Sequence, residues 1–174
     1  TEKVGCYVYK KYVAKTISGE DKGGEITKVY QQSEAIPSKK SCQVSGEPII
    51  TVSNSSGLKD GYDGEDVTHF FYGIHDKYLF IDKSVEPFQG AFEIFDLTTG
   101  KSIFKALIYP ELKIIPTQIV FYENWAKKDG LEKNCLQAKK WKKQGLGVGW
   151  VDKFQFNLQT KKVTKLGLRC EATQ

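Results

Sequence analysis

Ala91-Phe-Glu-Ile-Phe-Asp-Leu-Thr-Thr-Gly-Lys-Ser-Ile-Phe-Lys-Ala-Leu-Ile108 is the clearest hairpin in the chain. Ala91 to Leu97 reads as one strand and Ile103 to Ile108 as its partner, both rich in Phe, Ile and Leu. Thr98-Thr99-Gly100 is the turn between them. Gly100 fits the left-handed position of a three-residue loop closed by a G1 bulge, a conformation that costs a residue with a Cβ.

Further strands follow the same logic on both sides. Cys6 to Val13 and Glu25 to Tyr30 are rich in Tyr, Val and Ile and flank the polar, Gly-rich stretch 18–24, which predicts a hairpin with a long loop. Pro48 to Ser53, Val67 to Tyr72 and Tyr78 to Ile81 read as strands, the last two joined through Gly73 and His75-Asp76-Lys77. Ile119 to Tyr122 follows Pro116, which marks an edge or a break. Trp150 to Leu158 and Val163 to Cys170 make a final pair, in which Phe154, Phe156 and Leu158 alternate with Gln155 and Asn157, as a strand with one buried face does. The expected fold is mostly β, a sandwich or barrel of antiparallel hairpins, with one amphipathic helix near residues 130–144. A length of 174 residues predicts a single domain spanning 1–174.

Asp96 to Lys101 and Asn157 to Lys162 resemble the strand-turn-strand of a β-propeller blade. Blades recur every ~40–50 residues, whereas these turns lie about 60 apart with a helix expected between them. They are therefore read as ordinary hairpin turns, and no family is assigned.

The helix has its own signals. Asp129-Gly-Leu-Glu132 resembles a capping box, and Gly145 is a natural stop after Lys142-Lys143-Gln144. Leu131, Cys135, Ala138 and Trp141 fall within an arc of about 120°. Lys133, Lys139, Lys140 and Lys143 lie outside that arc.

Net charge is +5, and it is concentrated. Glu123 to Lys143 holds Lys127, Lys128, Lys133, Lys139, Lys140, Lys142 and Lys143 against Glu123, Asp129 and Glu132, while the remainder is close to neutral. A patch of one sign suits an acidic protein or polyanionic surface, although long Lys stems also cover helix surfaces with no partner at all. Lys133, Lys139, Lys140, Lys143 and the neighbouring Trp125 are the candidate partner-binding residues. No nucleic-acid-binding motif occurs, so nucleic acid is not expected as a partner. No apolar run approaches the ~20 residues of a membrane span.

Cys6, Cys42, Cys135 and Cys170 form an even set without metal-site spacing, which predicts two disulfides. Of three possible pairings, Cys6–Cys42 with Cys135–Cys170 is favoured because each joins elements within one half of the chain. Cys6–Cys170 is the rival. The chain opens Thr-Glu-Lys and contains no Met, which together with the cysteines predicts a secreted or periplasmic protein after signal-peptide removal.

Catalytic chemistry is poorly supplied. The sequence has two His and none of the common hydrolase, nucleotide-binding or zinc-protease motifs, so no catalytic residue is assigned. His69 is in phase with Val67 and Phe71 and points to the core or its rim. Asp60, Asp63, Glu65 and Asp66 crowd a Gly-containing loop that could hold Ca²⁺ through oxygen ligands. The loop departs from an EF-hand at Tyr62 and Phe71, and an exposed acidic turn between strands is the favoured reading of it. No other cofactor is indicated. The function expected from these features is non-enzymatic recognition of another protein outside the cytoplasm, as an inhibitor or immunity-type partner. The alternatives are a carbohydrate- or ligand-binding module and a hydrolase with an unrecognised site.

Overall fold

A computed structural model describes residues 2–19, 25–32, 42, 44, 46–53, 68–86, 89–108, 112–126 and 134–173. These residues form three four-stranded antiparallel sheets and one short helix. The first sheet runs β1 (Lys3–Val8), β2 (Tyr12–Ser18), β3 (Glu25–Gln31), β4 (Ile50–Val52). The second runs β5 (Thr68–His75), β6 (Tyr78–Glu86), β7 (Gln89–Asp96), β8 (Lys101–Ile108). The third contains β9 (Lys113–Ile115), β10 (Gln118–Ala126), β11 (Gly147–Asn157) and β12 (Val163–Thr173) in the same up-and-down order. Helix α1 (Ala138–Lys143) lies in the connection between β10 and β11. The mostly-β, sandwich-like architecture is as expected; among the described residues no barrel closes.

All three sheets follow one plan. In each, the second strand starts just after a tight turn, and its first residue pairs with the last residue of the third strand. The pairs are Tyr12 with Gln31, Tyr78 with Asp96, and Gln118 with Asn157. The following residue then donates its N–H to the carbonyl just ahead of the second strand: Gln32 to Lys11 at 2.9 Å, Leu97 to Lys77 at 2.9 Å, Leu158 to Thr117 at 3.0 Å. The resemblance between the Asp96 and Asn157 turns therefore has a structural basis. Tyr78 and Gln118 lie about 40 residues apart, within the blade-type period. The wider spacing of the two turns comes from the helix-bearing segment inserted between β10 and β11.

The turns themselves are built alike. Asp96 Oδ1 accepts the Thr98 N–H at 3.0 Å, and Asn157 Oδ1 accepts the N–H groups of Gln159 at 2.9 Å and Thr160 at 2.8 Å. The left-handed position is Gly100 (φ 65°) in one and Lys161 (φ 56°) in the other. Leu97 and Leu158 are buried beneath them.

The stretch Cys6 to Val13 is not one strand. The chain reverses at Tyr9–Lys11, where the Tyr9 N–H bonds the Tyr12 carbonyl at 2.8 Å, and β1 pairs back on β2. The turn residues are Tyr9, Lys10 and Lys11, with Val8 and Tyr12 beside them and no Gly or Pro among them, which hid the reversal from a reading based on composition. Pro116 sits in the turn between β9 and β10, the break that it signalled.

The chain divides into two compact units, Thr1–Ala106 and Leu107–Gln174. In the first, Tyr12, Ala14, Val29 and Val52 pack with Ile74, Leu79, Ile81 and Leu97, so the first two sheets share one core. In the second, Cys135, Ala138, Val148 and Trp150 form a cluster with Trp141 and Cys170 against it. The disulfides are Cys6–Cys42 and Cys135–Cys170, with Cα–Cα distances of 5.6 and 5.9 Å. Each ties a residue from a connection between strands to its own sheet: Cys42 between β3 and β4 to β1, Cys135 between β10 and β11 to β12. Each closes a loop worth about 3–4 kcal/mol in the chain-entropy view.

Candidate functional site

The Lys-rich face is carried by α1, and the way α1 is held explains its orientation. A six-residue helix has almost no stability of its own, since nucleation costs more than so few hydrogen bonds return. This one is fixed at both ends. At its start, the Ala138 N–H bonds the Cys135 carbonyl at 3.1 Å, and Cys135 is bonded to β12. At its end, Gly145 takes φ +76° and the Leu146 N–H bonds the Trp141 carbonyl at 3.0 Å, a Schellman-type stop. Ala138 is buried and Trp141 half-buried against Trp150 and Val148. Lys139, Lys140, Lys142 and Lys143 are exposed on the outside.

Two details differ from the sequence reading. The described helix is short, with Gln137 as an N-cap that makes no side-chain cap bond. Cys135 lies in the turn ahead of it rather than within a second helical turn, because its carbonyl closes a tight reversal and its sulfur is tied to β12. The proposed cap at Asp129–Glu132, Leu131 and Lys133 lie outside the described residues. For Trp125, the structure places the backbone in β10 only. So the structure brings Lys139, Lys140 and Lys143 together on one face, while Lys133 and the Trp125 side chain lie outside what is described. The acidic loop with Asp60, Asp63, Glu65 and Asp66 also lies outside the described residues. Among the described residues, no group of three or more His, Cys, Asp and Glu side chains could hold a metal.

A second constellation lies inside the first unit. On β5, β6 and β7, His69 and Lys83 are paired across strands, and Lys83 forms an ion pair and hydrogen bond with Glu93. All three are almost fully buried. Lys105 Nζ reaches the other Glu93 oxygen at 3.3 Å. Burial pushes the Glu93 carboxyl up, but hydrogen bonds from Lys83 and Ser102 and the two lysine charges outweigh it and hold it below the usual range. His69 is pushed down to about 4, first by burial and then by the Lys83 charge. Burial, reinforced by Lys83 and opposed by Glu93, keeps His69 neutral beside this ion pair. The sequence held a signal for it: Lys83 is in phase with Leu79 and Ile81, and Glu93 with Phe95, so two charges sit on a core-facing row.

A third pair is in the second unit. Glu123 and Asp152 are directly opposed on β10 and β11. Burial and then the Asp152 charge raise the Glu123 carboxyl, while Lys165 Nζ lies 3.0 Å from Asp152 Oδ1. This is two carboxylates and a counter-ion, and among the described residues no third His, Cys, Asp or Glu joins them into a group that could hold a metal.

Among the described residues no helix is long and apolar enough to cross a membrane. Two disulfides are compatible with an oxidising compartment. In comparisons with known proteins, no family model, no curated protein and no solved structure matches the chain.

Proposed function

We propose that this chain is a non-enzymatic binding protein of an oxidising, extracytoplasmic compartment, secreted or periplasmic, that recognises an acidic protein surface in the manner of an inhibitor or immunity-type partner. The observation that carries this reading is the outer face of α1. Lys139, Lys140 and Lys143 are exposed and of one sign on a helix with no acidic residue in its first turn. A disulfide and a half-buried Trp pin that helix to a sheet. Such a pinned charged face loses little conformational freedom on docking, which favours association. The choice of Lys over Arg fits steering of an acidic protein better than bidentate gripping of phosphates. The last-turn lysines also suit the helix dipole, so a purely structural role is the competing account.

The two accounts separate by retention. The native chain and a Lys139→Glu/Lys140→Glu/Lys143→Glu chain are immobilised and exposed to extract of the native compartment at low salt. The binding account expects an acidic protein held by the native chain and released by moderate salt, and not held by the reversed chain. Equal retention on both contradicts it.

A further inference from the structure

We propose that the first unit carries a small-ligand site for a carboxylated sugar ring, set between the β1–β2 turn and the end of β5. A cavity of about 230 Å³ there is lined by Tyr9, Lys10, Lys11, Ile74 and Asp76. Its two walls come from different sheets, but those sheets share the core of Tyr12, Ile74, Leu79 and Leu97 directly beneath. The cavity is therefore pre-formed and needs no closure to exist. This site uses none of the residues of the α1 face and belongs to the other unit.

Backbone irregularity marks the same place. The β5–β6 register slips between Phe71 and Gly73. The other two hairpins of this kind, β1–β2 and β9–β10, pair without a slip, so the bulge is a departure from the repeated plan. Bulges concentrate beside functional sites because they re-aim side chains. Here Gly73 has φ +155°, and a Cβ on it would lie 3.6 Å from Tyr9 Oη. Tyr9 is also hydrogen-bonded to the backbone of Ile74. The bulge thus seats the Tyr9 hydroxyl at the cavity wall.

The chemistry of the lining selects the ligand. The Tyr9 ring, the aromatic group of the lining, stands edge-on to Phe71 at 6.4 Å, and Phe71 contacts Tyr7 at 4.6 Å, so Tyr9 is held in a row of three rings. Aromatic rings offer an apolar face to the C–H side of a sugar, while Tyr O–H and Asp oxygens bond hydroxyl groups. Lys10 and Lys11 add two ammonium groups against the single carboxylate of Asp76, which favours a ligand with one negative charge. The volume is below the ~300–1,000 Å³ of drug-sized pockets, so it suits one ring and not a long chain.

The test is an amide-resolved NMR titration of the full chain with glucuronate, glucose and acetate. Glucuronate is expected to shift the amides of Tyr9–Lys11 and Ile74–Asp76 with millimolar affinity, glucose to shift the same amides more weakly, and acetate to leave them unsaturated. Lys10→Ala/Lys11→Ala should weaken glucuronate about tenfold and glucose by much less, so that the preference for the charged sugar is lost. Tyr9→Ala should abolish both. Three results overturn the proposal: no shifts at these residues with either sugar, acetate binding as tightly as glucuronate, or glucuronate affinity unchanged in the double variant.

Discussion

At the scale of single residues, the consequential group is His69. It is 2% exposed and held neutral beside Lys83, with its pKa pushed down to about 4 from 6.5. A group protonated more readily in the unfolded chain makes stability rise with pH between the two values. His69 therefore contributes fully above 6.5, and its contribution is lost as pH falls toward 4. Between pH 7 and pH 4.5 the loss is about 2.5 kcal/mol. Glu93 acts in the same direction at lower pH, since its depressed carboxyl favours the folded state until it is protonated. Urea melts at the two pH values should show this loss in the native chain, and a slope smaller by most of it in His69→Gln. An identical slope in both would mean that the imidazole is hydrated or already charged in the folded protein.

At the scale of elements, the repeated turns make a paired prediction. Gly100 and Lys161 occupy the same left-handed position in equivalent turns. A side chain costs roughly 1–2 kcal/mol there, offset in part by the greater freedom of Gly in the unfolded chain. Lys161→Gly is expected to stabilise by about 0.5–1 kcal/mol, and Gly100→Lys to destabilise by about as much or more. Chemical denaturation measures both; a destabilising Lys161→Gly would break the equivalence of the two turns. For α1, Trp141 is only half-buried, so Trp141→Ala should cost about 2 kcal/mol, below the 3–5 of a fully buried Trp. Lys140→Ala should stay within about 0.5 kcal/mol. The reverse ranking in melts would mean that the helix faces the other way.

Elements were readable in the sequence where local chemistry was decisive. Gly100 marked its turn because a left-handed residue selects Gly, and Pro116 marked another because it cannot continue a ladder. The Tyr9–Lys11 reversal carried no such marker: its turn residues are Tyr and Lys, its flanks are Tyr and Val, and it is the pairing of β1 on β2 that reveals it. The helix cap expected at Asp129–Glu132 lies outside the described residues. What precedes α1 among the described residues is the turn at Cys135, whose sulfur is tied to Cys170 in a distant strand, a link that no local capping signal carries.

At the scale of the whole molecule, the plan is three copies of one antiparallel meander with two departures, the β3–β4 and β10–β11 connections, each tied down by a disulfide. The sequence showed the strands but not the repeat, because insertions of different length fall at different points of the first and third copies and the repeated hydrogen bond involves backbone atoms alone. The disulfide pairing followed from keeping each bond within one half of the chain, which is also how the two compact units divide it. Of the candidate site, the Lys face was visible from helical spacing. The cavity at Tyr9 and Asp76 was not, since it needs residues far apart in sequence and a register slip that no composition signals. That one of the two pinned connections presents a face of a single charge is the basis of the proposed function.

The central claim is that this face steers an acidic partner. The direct measurement is the association rate of the protein retained on the native chain, taken at low and at physiological salt for the native and the Lys139→Glu/Lys140→Glu/Lys143→Glu chains. The account predicts an on-rate that falls at least about tenfold on reversal, a salt dependence that largely disappears, and a dissociation rate changed much less. An on-rate and salt dependence that both survive the reversal would contradict it and leave the lysines as a solvated helix face.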